Sequence, residues 1–108
     1  MDKILSYVGL CRKAGKLIPG TAQATDAIRS GKAVMSLLSS DASDNTVKRI
    51  SDCSRYRGVE CVTLPFTSEQ LGAAIGKESI AAAAVTDPRF AEMIKNPVTV
   101  SIRQHKSI

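Results

Sequence analysis

The sequence predicts an α/β fold, a three-layer α/β/α sandwich on a mixed four-stranded sheet, from three observations. Short apolar runs at residues 17–18, 33–38, 59–64 and 80–85 alternate with stretches whose apolar residues recur at helical spacing. Glycine, proline or a capping side chain stands at nearly every junction between them. Strands that alternate with helices throughout place helices on both faces of one sheet. At 108 residues the chain suits one hydrophobic core rather than two. Residues 1–97 therefore read as a single domain, with no internal repeat and no low-complexity linker.

Each element has its own signals. Met1, Ile4, Leu5, Val8 and Cys11 share one helical face, and Arg12, Lys13 and Gly15 supply a basic last turn and a glycine stop, so a first helix is expected over 2–14. Leu17 and Ile18 form a short strand halted by Pro19 and Gly20. An Ala-rich helix follows over 21–30, with Ala24, Ala27 and Ile28 inward and Gly31 as terminator. Residues 33–38 are a buried strand by apolar content. The polar cluster at 40–45 can cap a helix reaching Tyr56, with Val47, Ile50 and Cys53 or Ser54 on its inner stripe and Gly58 at its end. Residues 59–64 give the next strand, closed by Pro65. Thr67 and Gln70 then have the spacing of a capping box, opening a helix to about Ile75. Residues 80–85 form a further strand. Asp87 can cap and Pro88 suits the first position of a last helix to Lys95, which Pro97 should stop. Val98, Val100 and Ile102 alternate with polar residues as an edge strand would, and residues 103–108, lacking periodicity, are expected to be mobile.

Composition narrows the function classes. The hydrophobic fraction is 44%, yet there are only two Tyr, two Phe and no Trp, so Ala, Val, Ile and Leu must fill the core. A net charge of +5 and a pI near 9.4 draw the molecule toward polyanions. No apolar run approaches the roughly 20 residues of a membrane span, and the N-terminus lacks the apolar stretch of a signal peptide, so a cytoplasmic protein without a membrane partner is expected. Cys11, Cys53 and Cys61 are odd in number and lack CxxC spacing, which fits isolated structural thiols rather than disulfides or a zinc site.

Catalysis finds no anchor. The single histidine, His105, stands in the unpatterned tail, a poor place for a triad or metal cluster. Gly72, Gly76 and Lys77 resemble a phosphate loop, but the spacing is one short, Glu78 stands where a hydroxyl belongs, and the segment leads from helix into strand instead of the reverse. No GxGxxG follows a strand. Asp41, Asp44 and Asp52 suit helix capping and a solvated face better than acid–base chemistry. The expectation is a protein that is not an enzyme, with no cofactor and no metal.

What remains is the basic surface. Arg12, Lys13 and Lys16 cluster after the first helix, Arg29 and Lys32 after the second, and Lys77 after the fourth, while Lys48, Arg49, Arg55 and Arg57 belong to the third. Last-turn cations can simply complement helix dipoles. The second helix, however, starts at Gly20, Thr21 and Ala22, whose backbone N–H groups are free for an acceptor and whose small side chains permit close approach.

Gly20 and Thr21 before a helix with a G-K-A exit, the S-x-D-A-S segment at residues 39–43, and L-G-A-A-I-G-K-E before an Ala-rich strand together resemble the L-seven-Ae ribosomal protein superfamily. The V-T-D-x-x-F run of Val85, Thr86, Asp87 and Phe90 is similar to that of its small bacterial YlxQ-type branch. The resemblance covers about residues 4–95. It implies a three-layer sandwich that binds kink-turn or kink-turn-like RNA. In that mode the start of the second helix meets sheared G·A pairs, and the apolar loop after the fourth helix covers an extruded base. Carried onto this chain, it implies an RNA site of Lys16, Gly20, Thr21, Ala22, Gln23, Arg29, Lys32, Lys77, Glu78, Ser79 and Ile80.

The contact helix departs from the family pattern. Ala22 replaces an asparagine, Gln23 a glutamate and Asp26 a lysine, and Pro19 stands where a cation often precedes the glycine. Gln23 can still hydrogen-bond a guanine edge, whereas Ala22 offers only backbone and methyl, and Asp26 repels phosphate. The expected function is non-catalytic binding of structured RNA, ribosomal RNA among the candidates, by a monomer. The alternative is a protein-interaction module on the same fold, with a protein partner and only non-specific RNA affinity.

Overall fold

The computed structural model describes the backbone of residues 2–106 and the side chains of residues 2–97. Nine elements alternate along it: α1 (Lys3–Lys13), β1 (Leu17–Pro19), α2 (Thr21–Arg29), β2 (Met35–Leu38), α3 (Asp44–Arg57), β3 (Glu60–Thr63), α4 (Ser68–Ala74), β4 (Ala82–Val85) and α5 (Pro88–Lys106). The strands form one mixed sheet in the order β1-β4-β2-β3. The βαβ unit β2–α3–β3 is parallel, with Met35 opposite Glu60, while β4 runs antiparallel to both β1 and β2.

Strand alternation sorts the core into two halves. Met35 and Leu37 of β2 and Ala83 and Val85 of β4 face a cluster with Ile4, Val8 and Cys11 of α1, Leu71 of α4 and Ile94 of α5. Leu38, Ala82 and Ala84 face the other way, toward Ala24, Ala27 and Ile28 of α2 and Ile50 of α3. The central strand β4 is thus buried on both faces, and its alanines leave room for helices to approach from either side. A buried polar pair joins the layers: Ser36 Oγ and Ser54 Oγ lie 2.8 Å apart, linking β2 to α3.

The expected caps form. Ser43 and Thr67 accept from first-turn amides of α3 and α4, and Thr67 with Gln70 completes a reciprocal capping box; Asp2, expected as the first residue of α1, stands before it as its cap instead. Gly58 ends α3 in the left-handed conformation. Asp87 Oδ1 accepts from the Arg89 amide at 2.8 Å, with Pro88 opening α5.

Four expectations are corrected. Val47 is 38% exposed, so the inner stripe of α3 rests on Ile50 and Ser54. Ile80 precedes the last strand, which begins at Ala82. Neither the stop at Pro97 nor the edge strand at residues 98–102 forms, because α5 continues through Pro97 to Lys106. Pro97 removes one helical donor, at a cost of about 3 kcal/mol. Phe90, Ile94, Val98 and Ile102, however, recur every fourth residue, a helical period that Val98 and Ile102 satisfy as readily as they satisfy alternation. The end of the expected mobile tail, residues 107–108, lies outside the described residues.

Candidate nucleic-acid interface

Gly20 caps α2 with no side chain to offer, at φ 105° and ψ 143°, a conformation that residues with a Cβ rarely adopt. Its own amide donates to the Ala82 carbonyl at 2.9 Å, fixing the helix start against the beginning of β4. The first intrahelical bond runs from the Ala24 amide to the Gly20 carbonyl, and no side chain caps the turn before it. The amides of Thr21, Ala22 and Gln23 therefore point outward at a positive dipole end, and Ala22 and Gln23 are exposed. The Gln23 side chain folds back over Gly20, its Oε1 occupying the space a Cβ there would need.

The loop between α4 and β4 leads into Ala82, whose carbonyl accepts from the Gly20 amide, so it reaches the same end of the sheet as this helix start. The Lys77 amide donates to the Gly72 carbonyl at 2.8 Å, and the Ile80 amide to the Ser68 carbonyl at 3.0 Å, so the loop doubles back along α4. Gly72 makes this possible: a Cβ on it would meet Ser79 Cα at 2.6 Å. The sequence shows the mid-helix glycine in L-G-A-A-I-G-K-E but not its purpose, which depends on a backbone seven residues later. Lys77, Glu78 and Ser79 are exposed, whereas Ile80 is 7% exposed and packs in the α1/α4/α5 core cluster.

The predicted site residues fall into two groups. Gly20, Thr21, Ala22 and Gln23 start α2 at the Ala82 end of the sheet, the end into which the loop of Lys77, Glu78 and Ser79 leads. Lys16, Arg29 and Lys32 sit at the opposite end, where Leu17 pairs with Val85 and the Val34 amide donates to the Val85 carbonyl. All three of these cations are exposed. The nine residues of α2 separate the groups by roughly 13 Å.

Asp41, in the 39–43 segment, braces the first group from below. Its carboxylate accepts from the Ser68 amide at 2.8 Å and from the Ser68 hydroxyl at 3.3 Å, tying the β2–α3 loop to the start of α4. The amide bond holds the carboxyl below the usual carboxylate range. A depressed folded-state value means that the stabilisation is present above the unfolded carboxylate value and is lost as pH falls through the folded one. Asp41→Asn should therefore flatten the acid limb of a stability–pH profile, read by urea midpoints from pH 7 to pH 3. An unaltered limb would show that the tether is not ionic.

Cys11 is buried, and burial, with the Asp87 charge adding to it, pushes its thiol up to about 12, a structural and unreactive group. Cys53 and Cys61 are half-buried. Among the described residues, no helix is long and apolar enough to cross a membrane.

Comparison with known proteins gives this geometry a family. Residues 2–95 match the ribosomal protein L7Ae/L30e/S12e/Gadd45 family. The chain is 38% identical over 76 residues to an RNA-binding protein YlxQ of Enterococcus faecium, covering 70% of this chain and 73% of that one. It is 35% identical over 92 residues to the RNA-binding protein YlxQ of Bacillus subtilis, covering 81% and 86%. A Bacillus halodurans protein of unknown function superimposes with a TM-score of 0.80 at 31% identity, over 87% of this chain and 98% of that one. The Giardia lamblia 15.5kD RNA binding protein shares the fold at 17% identity, with a TM-score of 0.71 over 90% and 82%. With its sandwich, its sequence from residue 2 to residue 95 and two relatives above 30% identity in agreement, the chain belongs to the ribosomal protein L7Ae/L30e/S12e/Gadd45 family.

Proposed function

We propose that this chain binds structured RNA without catalysing a reaction on it, and that its target is a kink-turn or a kink-turn-like element, ribosomal RNA being the first candidate. The observation that carries this is the glycine-capped start of α2, with outward amides and no capping side chain, held against β4 at the end of the sheet into which the exposed Lys77–Ser79 loop leads. The RNA-binding names of the two YlxQ relatives support the partner class. In this mode the α2 start and Gln23 meet base edges, while Lys77 on one side and Lys16, Arg29 and Lys32 on the other hold backbone phosphate.

The test is a titration against a kink-turn RNA and a control of equal length with its G·A pairs disrupted, each across a salt series. Tighter binding to the intact turn near physiological salt is the expected result. Gln23→Ala should narrow that difference. Asp26→Lys should raise affinity and steepen the salt slope by about 1, because Asp26 is exposed on the contact helix and now repels phosphate. Equal, steeply salt-dependent binding to both RNAs would overturn kink-turn recognition and leave a protein-interaction module with non-specific RNA affinity.

A further inference from the structure

The outer surface of the α2–α3 layer carries a second feature, at the end of α2 remote from Gly20. Tyr56 is 86% exposed, far more than Leu10, Val34, Val47 or Met93, the other large exposed hydrophobics among the described residues. An aromatic ring gains much from burial, so a ring left almost entirely in water invites an explanation. The Arg57 guanidinium lies over it, 5.8 Å from the centroid. Arg29, in the last turn of α2, joins Cys53, Tyr56 and Arg57 around a shallow depression of about 280 Å³. Arg49 stands four residues before Cys53 and seven before Tyr56, on the same stripe of α3.

The charges around the ring are unevenly matched. Asp52, the nearest acid on α3, is bound to Arg55 at 2.8 Å. Asp26 lies one turn before Arg29 on α2. Against that single acid stand Arg29, Arg49 and Arg57. Cations in the last turns of α2 and α3 would by themselves serve only the helix dipoles. They give no reason for an exposed tyrosine between them. Guanidinium groups flanking an open aromatic face are what an unpaired base and its neighbouring phosphates require: the ring stacks on any base, and the arginines grip the backbone.

We propose that Tyr56, Arg29 and Arg57 form a second contact for RNA, stacking an unpaired base on Tyr56 and holding adjacent phosphates with the two arginines. A strand leaving the first site along α2 would reach this patch after roughly 13 Å. The proposal shares the RNA reading of the α2 start but requires no kink-turn.

Its test exploits the sparse aromatics: Tyr7 and Tyr56 are the two tyrosines, and there is no Trp. In the Tyr7→Phe variant the emission comes from Tyr56 alone, and titration with single-stranded oligoadenylate should quench it saturably. In the parent chain Tyr56→Phe, which keeps the ring, should retain binding, whereas Tyr56→Ala should weaken it roughly fivefold or more. Binding without quenching, or Tyr56→Ala with unchanged affinity, would overturn the proposal. So would polyglutamate that quenches and displaces as effectively as oligoadenylate, which would make the patch a surface for acidic protein. A kink-turn titration in parallel separates the two readings. Loss of kink-turn selectivity with oligoadenylate quenching retained removes the first site's assignment alone, and the reverse removes this one alone.

Discussion

Replacing Gly72 by alanine is expected to destabilise the protein by about 1–3 kcal/mol, the range for forcing a methyl group into a filled space. Two effects compete at this position. Alanine is the better helix former by about 0.5–1 kcal/mol, and Gly72 lies within α4. Against this, the new Cβ would stand 2.6 Å from Ser79 Cα, 2.7 Å from Ser79 N and 2.9 Å from the Glu78 carbonyl carbon. All three are backbone atoms, which cannot swing aside as a side-chain tip could, so the clash should win. The 77–79 loop must move off α4, and the Lys77 amide bond to the Gly72 carbonyl is strained with it. Urea unfolding should show the lower midpoint, and RNA titration should show weaker binding beyond the stability loss if the loop belongs to the proposed RNA site. An alanine variant more stable than the parent would mean that helix propensity dominates and that the loop is not pinned where the structure places it.

Reversing charge at Lys32 and Lys77 together should weaken RNA binding roughly tenfold or more at physiological salt and lower the slope of log affinity against log salt by about 2. The two lysines lie at opposite ends of α2, and neither contributes to the core, so stability should change little. The single variants discriminate between the groups. If Lys77→Glu alone flattens the slope, the RNA is confined to the Gly20 end. If both singles do so, it tracks the length of the helix. Full binding with an unchanged slope in the double variant would place the site elsewhere on the molecule.

The fold was largely legible because local rules and tertiary demands coincide along most of the chain. Thr67 and Gln70 announce a capping box at three-residue spacing, and Asp87 with Pro88 announces a helix start. Pro97 misleads because a single-residue rule about donors conflicts with a four-residue period spanning Phe90 to Ile102, and the period prevails in α5. Val47 misleads because its place three residues before Ile50 suits the inner stripe, and only the placement of α2 and the sheet centres the burial on Ile50 and Ser54.

By itself the sequence determined the alternation of elements, the helices on both faces of the sheet, the excess of positive charge and the glycine start of α2 with its small neighbours. Those are properties of single residues or of short periodic runs, which spacing encodes directly. Only the tertiary structure decided that the 77–79 loop lies across Gly72, that Ile80 turns into the core, that Lys16, Arg29 and Lys32 gather at the far end of the sheet, and that Tyr56 stands open among arginines. Each of these depends on the crossing of segments distant in sequence, through the order β1-β4-β2-β3 and the packing of α2 on α3, and no local pattern specifies where such segments meet.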